Sequence, residues 1–339
     1  MPDVEGADVT RTARAYWLRE PGFGELRMTE LPDPGPGEVR VRAVLSGVSR
    51  GTESLVFRGG VPESQYAVMR APFQEGELPG PVKYGYLGVG VVEAGPDDLL
   101  GRTVFCLYPH QTSYVVPIEA VFVVPDGVPA RRAVLAGAVE TAVNALWDAR
   151  PLVGDRVAVV GAGMVGCCVA RLLAGIPGVE VTLVDTLAER AETAAALGVG
   201  CALPPDAPVD VDLVLHTSGT GAGLQLALDL LGDDGVVTDL SWYGDTPVAL
   251  DLGSRFHSAR LGIRASQVGE VAAARRSRRS RADRMRLALR LLADPAYDAL
   301  LTGESPFDEL PEVMARLASG SLPALCHTIR YADDHEGEV

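Results

Sequence analysis

The sequence predicts an α/β protein in which a β-rich domain precedes a doubly wound parallel-sheet domain. Three observations predict it. The first third consists of short β-rich runs punctuated by Gly and Pro; "DRVAVVGAGMVGCCVARLLAGIPGVEVTLVDT" then reads as strand, glycine turn, helix, strand; and further strand–helix units follow. At 339 residues and 47% hydrophobic content, the chain can fill two ordinary cores.

The runs from "TARAYWLREPG" through "GEVRVRAVLSGVSRGTE" to "SYVVPIEAVFVVPDGV" are too short and too often broken for βαβ units, and they predict a small strand-rich barrel. After "AGAVETAVNALWDARPLVGD" the pattern changes. Apolar runs flank an Ala- and Leu-rich helix, as in a buried parallel sheet. "VDLVLHTSG", "GAGLQLALDLL" and "DGVVTDLSWYG" continue it, and "LGIRASQVGEV" is expected to be its last strand. Two helices, "RADRMRLALRLLAD" and "FDELPEVMARLAS", and the strand "ALCHTIRYA" complete the chain. The expected division is residues 1–138 and 267–339 in the first domain and 139–266 in the second.

A net charge of −15 and a sequence pI of 4.8 argue against a nucleic-acid partner. One basic run, Ala274–Arg286 ("ARRSRRSRADRMR"), stands against that background; it either steers an anionic substrate or cofactor or is a solvated face. Cys106, Cys167, Cys168, Cys201 and Cys326 form no CxxC pair, which suggests neither a disulfide framework nor a structural zinc knot and fits a reducing cytoplasm. No basic-then-apolar leader opens the chain and no run approaches about 18 apolar residues, so neither export nor membrane anchoring is expected.

Gly161, Gly163 and Gly166 form a GxGxxG directly after "RVAVV" and before a helix, with Asp185 ending the next strand. The glycines permit a tight turn, close backbone approach to a pyrophosphate and helix–sheet contact, while the helix N-terminus offers free N–H groups. Asp185 would accept from ribose hydroxyls and repel a 2′-phosphate, which favours NAD over NADP; Arg190 tempers that preference. "HTSG" (His216 to Gly219) ends a later strand where the cofactor ribose would lie, and His216 is either a contact or a satisfied strand-end histidine.

The order of β-rich domain, "AGAVETAVNAL", nucleotide motif and short return resembles the medium-chain dehydrogenase/reductase superfamily from about residue 12 to 331. Within it, "SGVSRGTESLVFRGG" and "VKYGYLGVG" resemble the bacteriochlorophyllide hydroxyethyl dehydrogenase branch and its unassigned bacterial relatives. The resemblance implies a GroES-like catalytic domain and a Rossmann domain, a small-molecule substrate and a homodimer joined through the cofactor sheets. It implies a cofactor set of Thr141, Gly161, Gly163, Met164, Val165, Gly166, Asp185, Thr186, Arg190, Thr217, Ser218 and Gly219.

Zinc-containing members supply Cys from a GICGSD-like motif, His and often Glu from GHE, and a Cys or Glu before the cofactor domain. The matching positions here are Ser49, Tyr86, Leu87 and Gly137 or its neighbours, a poor tetrahedral donor set, so no zinc is expected. A side chain must then manage the hydroxyl proton that zinc would otherwise make labile. Five residues are candidates. Tyr108 and His110 in "CLYPHQ" form an acid/base pair or are a barrel-edge aromatic and a turn residue; Glu140 is a base beside Thr141 or a helix charge. Glu53 flanks the vacant metal position with Arg50, which binds cofactor phosphates or a substrate carboxylate, or pairs with Glu53 as framework. Tyr86 supplies a hydroxyl or fills the cavity. Lys83 is expected to be solvated, and His257 is strand-edge structure or a pocket contact. The expected reaction is hydride transfer between NAD(H) and a secondary alcohol/ketone pair of a polyol, cyclitol or specialised metabolite. The alternatives are NADPH-linked reduction of an activated C=C bond and a non-catalytic nucleotide sensor.

Overall fold

The computed structural model describes residues 11–332. Residues 1–10 and 333–339, which hold the outer ends of the expected first-domain span, lie outside the described residues.

The hairpin of β1 (Arg11–Glu20) and β2 (Phe23–Leu31) opens the β-rich domain. β1 buries Ala13 and Ala15 on one face and Tyr16 and Leu18 on the other while its ends face water, so its middle is covered on both sides. β3 (Glu38–Val48) is central: it pairs with β6 (Gly88–Ala94) and with β8 (Ser113–Pro117). Between them lie α1 (Arg50–Phe57), β4 (Glu75–Gly76), β5 (Val82–Lys83) and β7 (Thr103–Cys106), and β9 (Val121–Val123) pairs with β7. Val39, Val41, Val104, Tyr108 and Tyr114 fill the space enclosed by these strands.

α2 (Ala130–Ala133) and α3 (Ala136–Ala149) lead to the second domain. There β10 (Arg156–Val160), α4 (Met164–Ala174), β11 (Glu180–Val184), α5 (Arg190–Ala196), β12 (Gly200–Ala202), β13 (Leu213–His216), α6 (Gly221–Leu230), β14 (Val236–Asp239), α7 (Arg255–Ser258) and β15 (Gly262–Ala265) build a parallel sheet in the order β12-β11-β10-β13-β14-β15. Numbered within the domain this is 3-2-1-4-5-6, the Rossmann order, whose reversal between β10 and β13 opens a crevice at the carboxyl ends of the strands. Val157 to Val160 are buried on both faces, as a central parallel strand requires.

α8 (Arg281–Leu291) packs on α3; β16 (Leu301–Pro306) and β17 (Cys326–Arg330), with α9 (Leu310–Ser319) between them, rejoin the first domain, β17 running antiparallel to β3. β15 is shorter than "LGIRASQVGEV" suggests. It ends at Ala265, because the Val268 and Glu270 carbonyls that follow turn onto the Arg284 guanidinium. One apolar cluster runs through both domains, joining Leu87 and Phe105 of the first to Val139, Cys168 and Leu215 of α3 and the second.

Candidate active site

At the end of β10, Gly161 has φ +106, and a Cβ there would lie 2.7 Å from the Ser218 nitrogen. A Cβ on Gly166 would lie 1.9 Å from the Gly161 carbonyl oxygen, so α4 contacts the strand at a distance that only glycine allows. Gly163 differs: a Cβ there meets nothing within 4 Å, and no side chain caps the α4 N-terminus. This arrangement fits a dinucleotide pyrophosphate. Met164 is buried and Val165 half-buried in the first turn of α4.

Asp185 follows β11, and its carboxylate accepts the Ala162 N–H at 2.7 Å and the Leu187 N–H at 3.0 Å, fixing it beside the glycine turn; Thr186 lies next to it. Across the domain boundary, Arg50 is half-buried near Asp185 and Arg190. Burial and the Arg190 charge hold its guanidinium below the usual arginine range, against the opposing pull of Asp185. Arg50 therefore lies within electrostatic reach of Asp185, while Glu53 takes other partners. Thr217 Oγ1 donates to the Gly161 carbonyl at 2.7 Å, and the Gly219 N–H donates to Ser241 Oγ at 3.1 Å. His216 is fully buried between Ser218 Oγ (2.6 Å from Nε2) and Asp239 Oδ1 (2.9 Å from Nδ1), a tie between β13 and β14. Thr141 is half-buried, its hydroxyl donating to the Gly137 carbonyl one helical turn back.

On the β-rich side, Glu53 lies in the first turn of α1. Its Oε1 accepts the Ser49 N–H at 2.8 Å and its Oε2 lies 2.9 Å from His110 Nε2. His110 Nδ1 is 2.7 Å from Ser46 Oγ, which is 2.9 Å from the Tyr331 hydroxyl. Glu53 and His110 are 3% and 1% exposed, a burial that carboxylate and imidazole tolerate only because each is partnered. Tyr86 is half-buried beside them, with the Ser49 and Thr52 side chains close to its phenol. Burial and the Glu53 charge push it up to about 12, so at neutral pH it is a donor rather than a phenolate.

The structure separates the other two catalytic candidates from this cluster. Tyr108 stacks on Tyr114 at 3.9 Å inside the barrel, and its hydroxyl lies 3.4 Å from Lys83 Nζ. The expected Tyr108–His110 pair does not form, because His110 turns toward Glu53 and Tyr108 toward Lys83. Lys83 is not solvated: it is 1% exposed and donates to Gln111 Oε1 at 2.7 Å and to Glu75. Glu140 forms a buried ion pair with Arg284 at 3.0 Å. Arg284 also donates to Asn144 Oδ1 and the Val268 carbonyl, each at 2.5 Å, and to the Glu270 carbonyl at 3.2 Å. The basic run is thus a solvated face only in part, since Arg275 to Arg281 are exposed whereas Arg284 is buried. The reason is its place on the apolar stripe Arg284, Met285, Ala288, Leu289 of α8, a periodicity readable in the sequence. His257 lies exposed on α7. Ser46 and Tyr331 are the partners that sequence reasoning missed.

No family model matches the chain. Among curated proteins, it is 26% identical over 199 residues to the starvation-sensing protein RspB of Escherichia coli K12, covering 51% of this chain and 57% of that protein. It is 28% identical over 250 residues to the D-guloside 3-dehydrogenase of Escherichia coli K12, covering 65% and 71% respectively. It is 32% identical over 190 residues to the 2-desacetyl-2-hydroxyethyl bacteriochlorophyllide A dehydrogenase of Cereibacter sphaeroides, covering 49% and 54%. The chain therefore spans only about half the length of two of these relatives. A short chain alcohol dehydrogenase (rspB) from Escherichia coli CFT073, solved with NADH, shares the fold with a TM-score of 0.75 at 18% identity, over 94% of this chain and 99% of that one. The chain is a homologue of medium-chain dehydrogenases.

The residues at the metal-ligand positions of that superfamily are a poor match to zinc. Leu87 is 1% exposed, and its Cδ2 would lie 2.6 Å from a Cβ on Gly137, so the two positions pack against each other through an apolar contact. Ser49 donates its N–H to Glu53 and has its side chain beside Tyr86. Among the described residues, no group of three or more His, Cys, Asp or Glu is arranged to hold a metal ion.

Proposed function

We propose that this protein is a zinc-independent, NAD(H)-dependent oxidoreductase that interconverts a secondary alcohol and a ketone. The observation that carries this reading is the half-buried Tyr86 phenol beside the buried Glu53–His110 pair, at the position where superfamily relatives place a metal ligand. When bound, the nicotinamide supplies or accepts the hydride. Gly163 and the α4 N-terminus would receive its pyrophosphate, Asp185 the adenosine ribose, and Arg50 a phosphate from the opposite domain. Asp185 supports NAD over NADP.

In reduction, the Tyr86 O–H donates its proton to the ketone oxygen as negative charge develops there, and solvent water returns a proton to the phenolate; oxidation runs the same transfer backwards from the phenolate, so it is favoured by rising pH. Ser49 and Thr52 orient the phenol, and Glu53 holds it in the protonated state. His110 compensates the buried carboxylate and is a positioning residue in this scheme. The name of one relative, a D-guloside 3-dehydrogenase, supports a polyol, cyclitol or other ring hydroxyl as substrate. The exposed edge strand β15 supports a homodimer formed by sheet continuation, and five free cysteines fit a reducing cytoplasm. Among the described residues, no helix is long and apolar enough to cross a membrane.

The test is a panel of sugar, polyol and cyclitol alcohols and ketones, followed at the NADH absorbance with metal analysis of the same preparation. NADH-linked turnover without stoichiometric zinc, lowered about 10²-fold or more in Tyr86→Phe, is expected. Stoichiometric zinc, turnover confined to NADPH and activated C=C bonds, or tight NADH binding without any turnover would overturn it.

A further inference from the structure

Outside the nucleotide crevice, α3, α4 and α8 leave a groove of about 730 Å³ on the outer face of the second domain. Leu146, Trp147, Leu172, Ile176, Leu287 and Leu291 form its apolar floor. Arg150 and Arg275 stand on its rim, both exposed. Arg276, Arg278 and Arg279 extend the positive edge, and among the described residues none of these five guanidiniums has a carboxylate within ion-pair distance. The chain as a whole carries −15, so this is a local reversal of sign beside an apolar trough.

We propose that the groove binds a single-chain anionic amphiphile, with its hydrocarbon tail along the α3–α4–α8 floor and its carboxylate or phosphate head between Arg150 and Arg275. The volume lies in the small-molecule range of roughly 300–1,000 Å³. A protein partner would need about 800 Å² on each side, far more than this trough offers. A flat bilayer suits neither the concave shape nor the repulsion expected from the acidic remainder of the surface. Guanidinium forks match both carboxylate and phosphate oxygens, so the head group is defined by charge and the tail by burial.

Trp147 on the floor is the reporter. The experiment titrates the full chain with laurate and with dodecyl phosphate, both below micelle formation, and follows Trp fluorescence and heat of binding. A saturable one-to-one response is expected, lost from the fluorescence but kept in the calorimetry of Trp147→Phe. Arg150→Gln with Arg275→Gln, both exposed and therefore compatible with folding, is expected to weaken binding at least tenfold. An equal response to dodecanol would show that the arginines select nothing and would overturn the assignment. So would a response confined to phosphatidylglycerol vesicles, the absence of saturable binding to either anion, or a groove variant that alters only the oligomeric mass.

Discussion

Replacing Arg284 by Met tests whether Glu140 is a structural rather than a reacting carboxylate. The guanidinium is 1% exposed and serves Glu140, Asn144 and two main-chain carbonyls; Asn144 Oδ1 keeps the Ala272 N–H, so the variant strands the Glu140 carboxylate and two carbonyls. Breaking a buried ion pair from one side costs about 3–5 kcal/mol. Glu140→Gln keeps an oxygen facing Arg284 Nε and should cost less, about 1–3 kcal/mol, the range of a charged hydrogen bond. The double variant should be destabilised by less than the sum, because with Glu140→Gln in place the loss of the guanidinium strands no charge. Burial pushes the Glu140 carboxyl up, with Arg284 pulling it down. Its folded value being raised, the contribution is fully present below the ordinary Glu range and is lost as pH rises through the raised value. Arg284→Met removes the downward pull, so its stability should fall more steeply with rising pH than that of the parent, and Glu140→Gln should abolish the difference. Urea unfolding followed by circular dichroism across pH measures all of this. Two results would refute the reasoning: Arg284→Met within about 0.5 kcal/mol of the parent, or a stable Glu140→Gln that has lost turnover.

Gly163→Ala should leave stability nearly unchanged, since its Cβ enters open space, yet weaken NADH binding at least about tenfold, or 1.4 kcal/mol, by calorimetry. Gly166→Ala should instead lower the melting temperature, because its Cβ would meet the Gly161 carbonyl oxygen at 1.9 Å. Leu87→Ala should cost about 2–5 kcal/mol in urea unfolding, the range for emptying a buried leucine site. Burial lowers the Lys83 ammonium against the pull of Glu75, so its contribution to stability grows as pH rises through the lowered folded value toward the ordinary lysine range. Lys83→Met should remove that alkaline rise, as read from unfolding midpoints at increasing pH.

The fold was legible because its signals are local. Apolar runs of four or five residues, a glycine turn and a helical stripe identify β10, α4 and β11 without knowledge of the rest. The site was legible only where it shares those signals: Gly161, Gly166 and Asp185 act within one βαβ unit. His110 and Glu53 are 57 positions apart, Ser46 and Tyr331 285, and Glu140 and Arg284 144. No spacing announces such pairs. Sequence proximity suggested that Tyr108 should work with His110, whereas buried Lys83, in need of acceptors, lies beside the tyrosine. Arg284 was hidden inside a run of exposed arginines, although its coincidence with the α8 stripe distinguishes it.

The contact between Leu87 and Gly137 constrains the routes open to protein evolution. A larger residue at 137 must displace Leu87, whose Cδ2 would sit 2.6 Å from its Cβ, and shrinking Leu87 first opens a hole in the apolar cluster that joins the two domains. A carboxylate introduced at 87 alone would be buried with no metal to bind, since its companions are still missing. At positions 87 and 137, a single step toward a metal centre therefore passes through a less stable protein, whichever of the two changes first. The arrangement behaves as a ratchet: a designer seeking to place metal ligands at 87 and 137 must change both together, and random drift, which changes one residue at a time, meets a barrier at either.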